Sequence, residues 1–189
     1  MKTDRLNAFT DGVVAIIITI MVLELPVPRG SDFTSLRPDI VLLGAYALSF
    51  VNVGIYWANH HHMLQSAKRV DGGVLWANLF LLFWLSLFPF VIRWIGEVGV
   101  TAPPVAAFGI ILILAALAYL LLERALIRAD GEQSKVAAAV GSKLKELLSL
   151  GLYVAAVPLA FVSPWISVAI YAIVSMMWLI PDRRFERQL

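Results

Sequence analysis

The stretch VGVTAPPVAAFGIILILAALAYLLL, residues 98–122, holds no Asp, Glu, Lys or Arg. A bilayer core needs about 20 apolar residues per helix, and charges within it are costly, so this run reads as a membrane span. The rest of the chain repeats the pattern. Charge-free intervals also run from Ile40 to Ala67, Gly72 to Ile92 and Leu147 to Pro181, with a shorter one from Gly12 to Leu23. Across 189 residues, 60% are hydrophobic and 15% charged, and the mean hydropathy is +0.83. That is more apolar surface than one soluble core hides, so lipid is the expected solvent.

The predicted fold is an all-α integral membrane protein, one domain over 1–189, with six helices near 5–25, 40–63, 73–95, 103–127, 144–162 and 165–180. The last two come from dividing the interval Leu147–Pro181, too long for one span, at Val162-Ser163-Pro164-Trp165. The first helix reaches across only if Asp11 is shielded by protein. A secretory signal is not the preferred reading of this segment. Thr10 and Asp11 interrupt its apolar stretch, and Leu23-Glu24-Leu25-Pro26 offers no small-residue cleavage site.

Six spans place both termini on one side. Lys2, Arg5, Lys68, Arg69, Arg124, Arg128, Lys135, Lys143, Lys145, Arg183, Arg184 and Arg187 then share that side, against Arg29, Arg37 and Arg93 opposite. Cytoplasmic loops collect Lys and Arg, so both ends are expected in the cytoplasm. Arg128 to Glu146 reads as a polar connection with some helix.

Several functions are excluded by what the chain lacks. No cysteine is present, which removes disulfides, thiolate catalysis and Cys-based metal sites. The basic residues form short clusters between apolar runs rather than a contiguous face, so nucleic acid is not an expected partner. Without a Gly-rich phosphate loop, a nucleophile elbow or paired carboxylates in an evident pocket, an enzyme is not expected. No cofactor is called for.

The first helix differs from the others in its polar content: Arg5, Thr10, Asp11, Thr19 and Glu24 lie on or beside it. On a wheel of about 100° per residue, Phe9, Gly12, Ile16, Ile20, Leu23 and Val27 share one stripe, Thr19 sits at its edge and Asp11 points away. The stripe has two readings. One is helix packing or lipid contact; the other is a hydrophobic constriction around an ion path.

Arg5-Leu6-Asn7-Ala8-Phe9-Thr10-Asp11, followed by Ala15-Ile16, resembles the Arg-x-x-x-Phe-Ser-Asp motif that opens the first helix in the transmembrane protein 175 family. Thr10 stands where the family usually has Ser, which keeps the hydroxyl and adds a stiff methyl. Trp57-Ala58-Asn59-His60-His61 resembles that family's second helix; Asn78-Leu79 and Phe88-Pro89-Phe90 resemble its third. The likeness covers the first half of the chain, while later helices agree only in hydropathy. It implies a potassium-selective cation channel without a re-entrant carbonyl filter, its pore lined by first helices. Ile16 matches the principal constricting residue, and Thr19, Ile20 and Leu23 match lining positions on its outer side. One motif per chain implies a homotetramer in a prokaryotic plasma membrane, with potassium ions and membrane lipids as the other partners. Val98-Gly99-Val100, the sole fragment like a carbonyl filter, lacks its flanking pattern and reads as an outer turn.

His60, His61 and His62 invite a metal reading, but neighbours on a helix point about 100° apart, and no Asp, Glu or Cys adjoins them. No metal site is predicted. A polar network near the inner membrane surface is preferred, drawn from Arg5, Thr10, Asp11, His60, His61 and Asn78, because polar groups away from water need partners. A proton-coupled secondary transporter using Asp11, Glu24 and the histidines, or a membrane scaffold, are the alternatives to a channel. The tryptophans read as interfacial anchors, with Trp84 mid-span as packing.

Overall fold

A computed structural model of the chain describes residues 3–131, 134, 136 and 143–179, and every regular element among them is helical. In chain order these are α1 (Thr3–Leu23), a 3-10 helix (Phe33–Asp39), α2 (Ile40–Ser66), α3 (Gly72–Leu85), α4 (Phe88–Val98), α5 (Ala102–Asp130), α6 (Lys143–Leu159) and α7 (Pro164–Leu179). Four helical stretches are long and apolar enough to cross a membrane: Thr3–Leu23, Phe33–Ser66, Gly72–Val98 and Ala102–Asp130. Pro164–Leu179 is a shorter apolar helix.

The second helix and α5 each run three residues past their expected ends, to Ser66 and Asp130, and three further details differ from the sequence expectation. The helix expected over 73–95 is two, broken at Ser86–Leu87. Pro89 sits in the first turn of α4, where its missing N–H breaks no helical bond, so a helix starts there more readily than one passes through. The Ser86 hydroxyl donates to the Phe83 carbonyl at 2.7 Å across the break. Next, α1 stops at Leu23 rather than 25, because Pro26 disfavours the helical conformation at Leu25. Val27 therefore leaves the helical stripe. Finally, α6 ends at Leu159, just after Pro158, short of the expected 162. Residues 132, 133, 135 and 137–142 of the Arg128–Glu146 connection, and residues 180–189, lie outside the described residues.

The long helix α5 is the hub, packing against α3, α4, α6 and α7. Ala115, Ala118, Leu122 and Leu126 are wholly buried on it; small residues let helix backbones approach closely in lipid, where dispersion rather than hydrophobicity drives association. Gly109 is the closest approach. A Cβ there would collide with the Tyr171 ring and hydroxyl and with Val157. The turn from α4 into α5 runs through Val98-Gly99-Val100, with Gly99 at φ 77°, a conformation that suits glycine. On the other side of the bundle, α1 rests on α2, α3 and α4, burying Leu6, Thr10, Val14, Ile17 and Met21 at helical spacing.

Candidate functional site

The face of α1 opposite that buried stripe is left uncovered by its own chain. Ile16 is 58% exposed, Ile20 41% and Leu23 79%, and Phe9 lies on the same side. Thr19 is also exposed, its hydroxyl donating to the Ile16 carbonyl at 2.9 Å, which satisfies the polar atom within the helix. The outward face is therefore aliphatic from Ile16 to Leu23, with no charge on it.

The buried face is held by polar groups. The Asn78 amide on α3 donates to the Thr10 hydroxyl at 2.9 Å. Its oxygen is thus the acceptor for His60 on α2, which donates from Nε2 at 2.7 Å. Thr10, Asn78 and His60 are all buried, so three helices meet in one chain of hydrogen bonds away from water. Among the described residues His60 Nδ1 has no partner, which fits the neutral Nε2–H tautomer: a second proton would be a buried donor with nothing there to receive it.

A second pair of contacts lines the partly exposed seam between α1 and α2. The Trp57 indole donates to an Asp11 carboxylate oxygen at 2.8 Å. One turn towards the N-terminus of α1, His61 sits between the side-chain amides of Asn7, at 3.2 Å, and Gln65, at 2.8 Å. The Trp57 and His61 rings stack at 5.9 Å. The structure thus distributes the six candidate network residues: Thr10, His60 and Asn78 come together, Asp11 and His61 make separate contacts, and Arg5 lies exposed near the start of α1. Trp57, Asn7 and Gln65 are the partners that sequence reasoning did not assign. Each stands four residues from another contact on its helix, Trp57 and Gln65 from His61 and Asn7 from Asp11, a spacing that marks one face.

At the other end of α1, Glu24 lies 3.9 Å from Arg93 of α4, which also pairs with Glu97 at 3.1 Å. Among the described residues no group of three or more His, Cys, Asp or Glu could hold a metal ion. Chemically the site offers an uncharged apolar surface on a helix fixed from behind, with carboxylates at its ends and none along it.

The family described as endosomal/lysosomal potassium channel TMEM175 matches residues 5–89, the segment running from α1 into α4. A protein named as a potassium channel from Chryseobacterium sp. (strain P1-3) is 52% identical over 189 residues, covering 100% of this chain and 98% of that one. Another protein so named, from Streptomyces collinus, is 29% identical, with 94% and 91% covered. The crystal structure of a lysosomal potassium-selective channel TMEM175 homolog from Chamaesiphon minutus superposes with a TM-score of 0.77 at 26% identity, covering 94% of this chain and 96% of that one.

Proposed function

This chain belongs to the TMEM175 potassium-channel family, and from that premise we propose that it is one subunit of a homotetramer whose four α1 helices line a central potassium-conducting pore. The supporting observation is the two-sidedness of α1, polar-bonded to α2 and α3 on one face and bare and aliphatic on the other. One such face cannot enclose a path. Four arranged about an axis can, and a closed symmetric ring uses the same surface of every copy.

In this reading Ile16 forms the narrowest ring, with Thr19, Ile20 and Leu23 widening outward. An ion entering an apolar ring sheds part of its hydration and receives no carbonyl in return, so the more strongly hydrated sodium ion meets the higher barrier. Glu24 at the mouth attracts cations without binding them in the constriction. The Thr10–Asn78–His60 chain and the Asp11–Trp57 bond hold α1 at a fixed rotation, which keeps Ile16 on the axis. Arg5 and His61 extend this anchor towards the cytoplasm. Six spans, counting α3 with α4 as one and α6 and α7 as the last two, leave both termini cytoplasmic in a prokaryotic plasma membrane.

Purified protein in liposomes tests the function. A channel produces passive potassium flux that follows the gradient and stops at the potassium equilibrium potential. Flux that requires a proton gradient would instead indicate a coupled transporter, and no flux a scaffold; either result overturns the channel reading.

A further inference from the structure

Behind α2, on the side away from α1, four helices leave a cavity of about 60 Å³. With one water needing about 15 Å³ of such space, it admits about four waters or a head group of similar heavy-atom count. Four of its thirteen lining residues are aromatic. Tyr56 of α2, Tyr119 of α5, Tyr153 of α6 and Trp178 of α7 all line it, with the Tyr56 and Tyr119 rings 6.0 Å apart. Asn52, Asn59 and Ser149 add a few fixed dipoles.

One charged group faces this space. Glu146 lines the cavity, is partly buried, and has no cation at ion-pair distance among the described residues. Glu123 is buried on α5 one turn beyond Tyr119. The protein supplies its own illustration of what the walls attract: the Lys145 ammonium lies over the Trp178 ring, 4.6 Å from its centre. Aromatic faces attract ammonium groups through their quadrupole, more strongly when water is excluded, and cages of such rings with a carboxylate recognise quaternary ammonium ions. Apolar, aromatic pockets with a few converging polar groups between bundle helices are also where small ligands bind.

We propose that this cavity is a binding site for a small organic ammonium ion, held by the rings of Tyr56, Tyr119 and Tyr153 with Glu146 as counter-charge. The site lies outside the proposed pore and does not depend on it.

The test is titration of the full-length purified protein in detergent with tetramethylammonium, followed by calorimetry and by tryptophan fluorescence, with uncharged tert-butanol as the size-matched comparison. Saturable binding of tetramethylammonium and none of tert-butanol is expected. Glu146→Gln and Tyr119→Leu should each weaken it about tenfold, the scale of one desolvated cation–π contact, whereas Tyr119→Phe keeps the ring and the affinity. Thermal melts without ligand identify any variant that has lost its fold. Should Tyr119→Leu fail there, the comparison of Glu146→Gln with Tyr119→Phe still decides. Equal response to the neutral compound, or undiminished affinity in Glu146→Gln, overturns the assignment; the second result would place the ion elsewhere, including the pore.

Discussion

Asn78 serves two neighbours at once, donating to Thr10 and accepting from His60 in a buried position. Asn78→Leu keeps the approximate volume and removes both bonds, leaving a hydroxyl and an imidazole N–H unpaired. Hydrogen bonds between membrane helices are worth about 0.6 to 2 kcal/mol each, so a loss of about 1 to 3 kcal/mol is expected, read as a lower melting temperature in detergent. An unchanged melt would mean that the chain of bonds does not hold α1. Ile16 carries the complementary prediction. With its side chain outward, Ile16→Asn should not unfold the chain, and in the proposed tetramer it should wet and widen the ring, giving larger currents and a lower potassium-to-sodium permeability ratio. Val14, two residues away, makes a poor comparison because it is buried and an asparagine there would be destabilising. Met176 on α7 is exposed and suits better: Met176→Asn should leave bi-ionic reversal potentials unmoved. If Ile16→Asn leaves them unmoved too, the constriction lies elsewhere. At this scale the sequence made the α1 stripe legible, since a period of 3.6 separates Ile16 and Ile20 from Val14 and Ile17. It did not reveal that Asp11 meets Trp57, because an indole 46 residues away carries no local signal of its partner.

Helices, by contrast, were legible as a class and less so at their ends. Long charge-free runs specify all-helical structure in lipid, where every backbone polar group must be paired within its own segment. The break at Ser86–Leu87 escapes that logic. It costs no charge, and Pro89 is tolerated in the first turn of the new helix, so hydropathy runs through it unchanged. Packing between elements is also invisible to hydropathy. Gly109 reads as one more small residue in an apolar run, yet it is where α5 admits Tyr171, whose hydroxyl donates to the Val105 carbonyl at 3.2 Å. Gly109→Ala should therefore cost about 1 to 3 kcal/mol through overpacking. The tyrosine hydroxyl is the nearest obstacle, so Tyr171→Phe in the same chain should recover part of that loss in a melting experiment. No recovery in the double variant would mean that Val157 and the Tyr171 ring, rather than the hydroxyl, set the spacing.

For the assembled molecule, the question is whether the bare face of α1 meets itself or meets lipid. Exposure in a single chain fits both, and apolar residues are at home in either setting. What separates them is distance between copies. If four α1 helices surround a narrow axis, residues at the constriction from neighbouring subunits approach closely; if α1 faces lipid, they stay a helix bundle apart. The chain contains no cysteine, so a single introduced thiol can react only with its counterpart on another copy. Disulfides need Cβ atoms about 3.5 to 4.5 Å apart, which makes oxidation a short ruler. Ile16→Cys should cross-link in membranes under mild oxidant, shifting the 20.8 kDa chain to the position of a dimer on a denaturing gel. Cross-linking stops at pairs because each subunit has one thiol. Met176→Cys, exposed on α7, should remain monomeric under the same treatment. Silver ions, which fit where hydrated cations pass, should silence conduction in Ile16→Cys and spare the cysteine-free parent. Cross-linking of Met176→Cys together with none in Ile16→Cys would turn the assembly around, placing α7 at the subunit contacts and α1 against the bilayer.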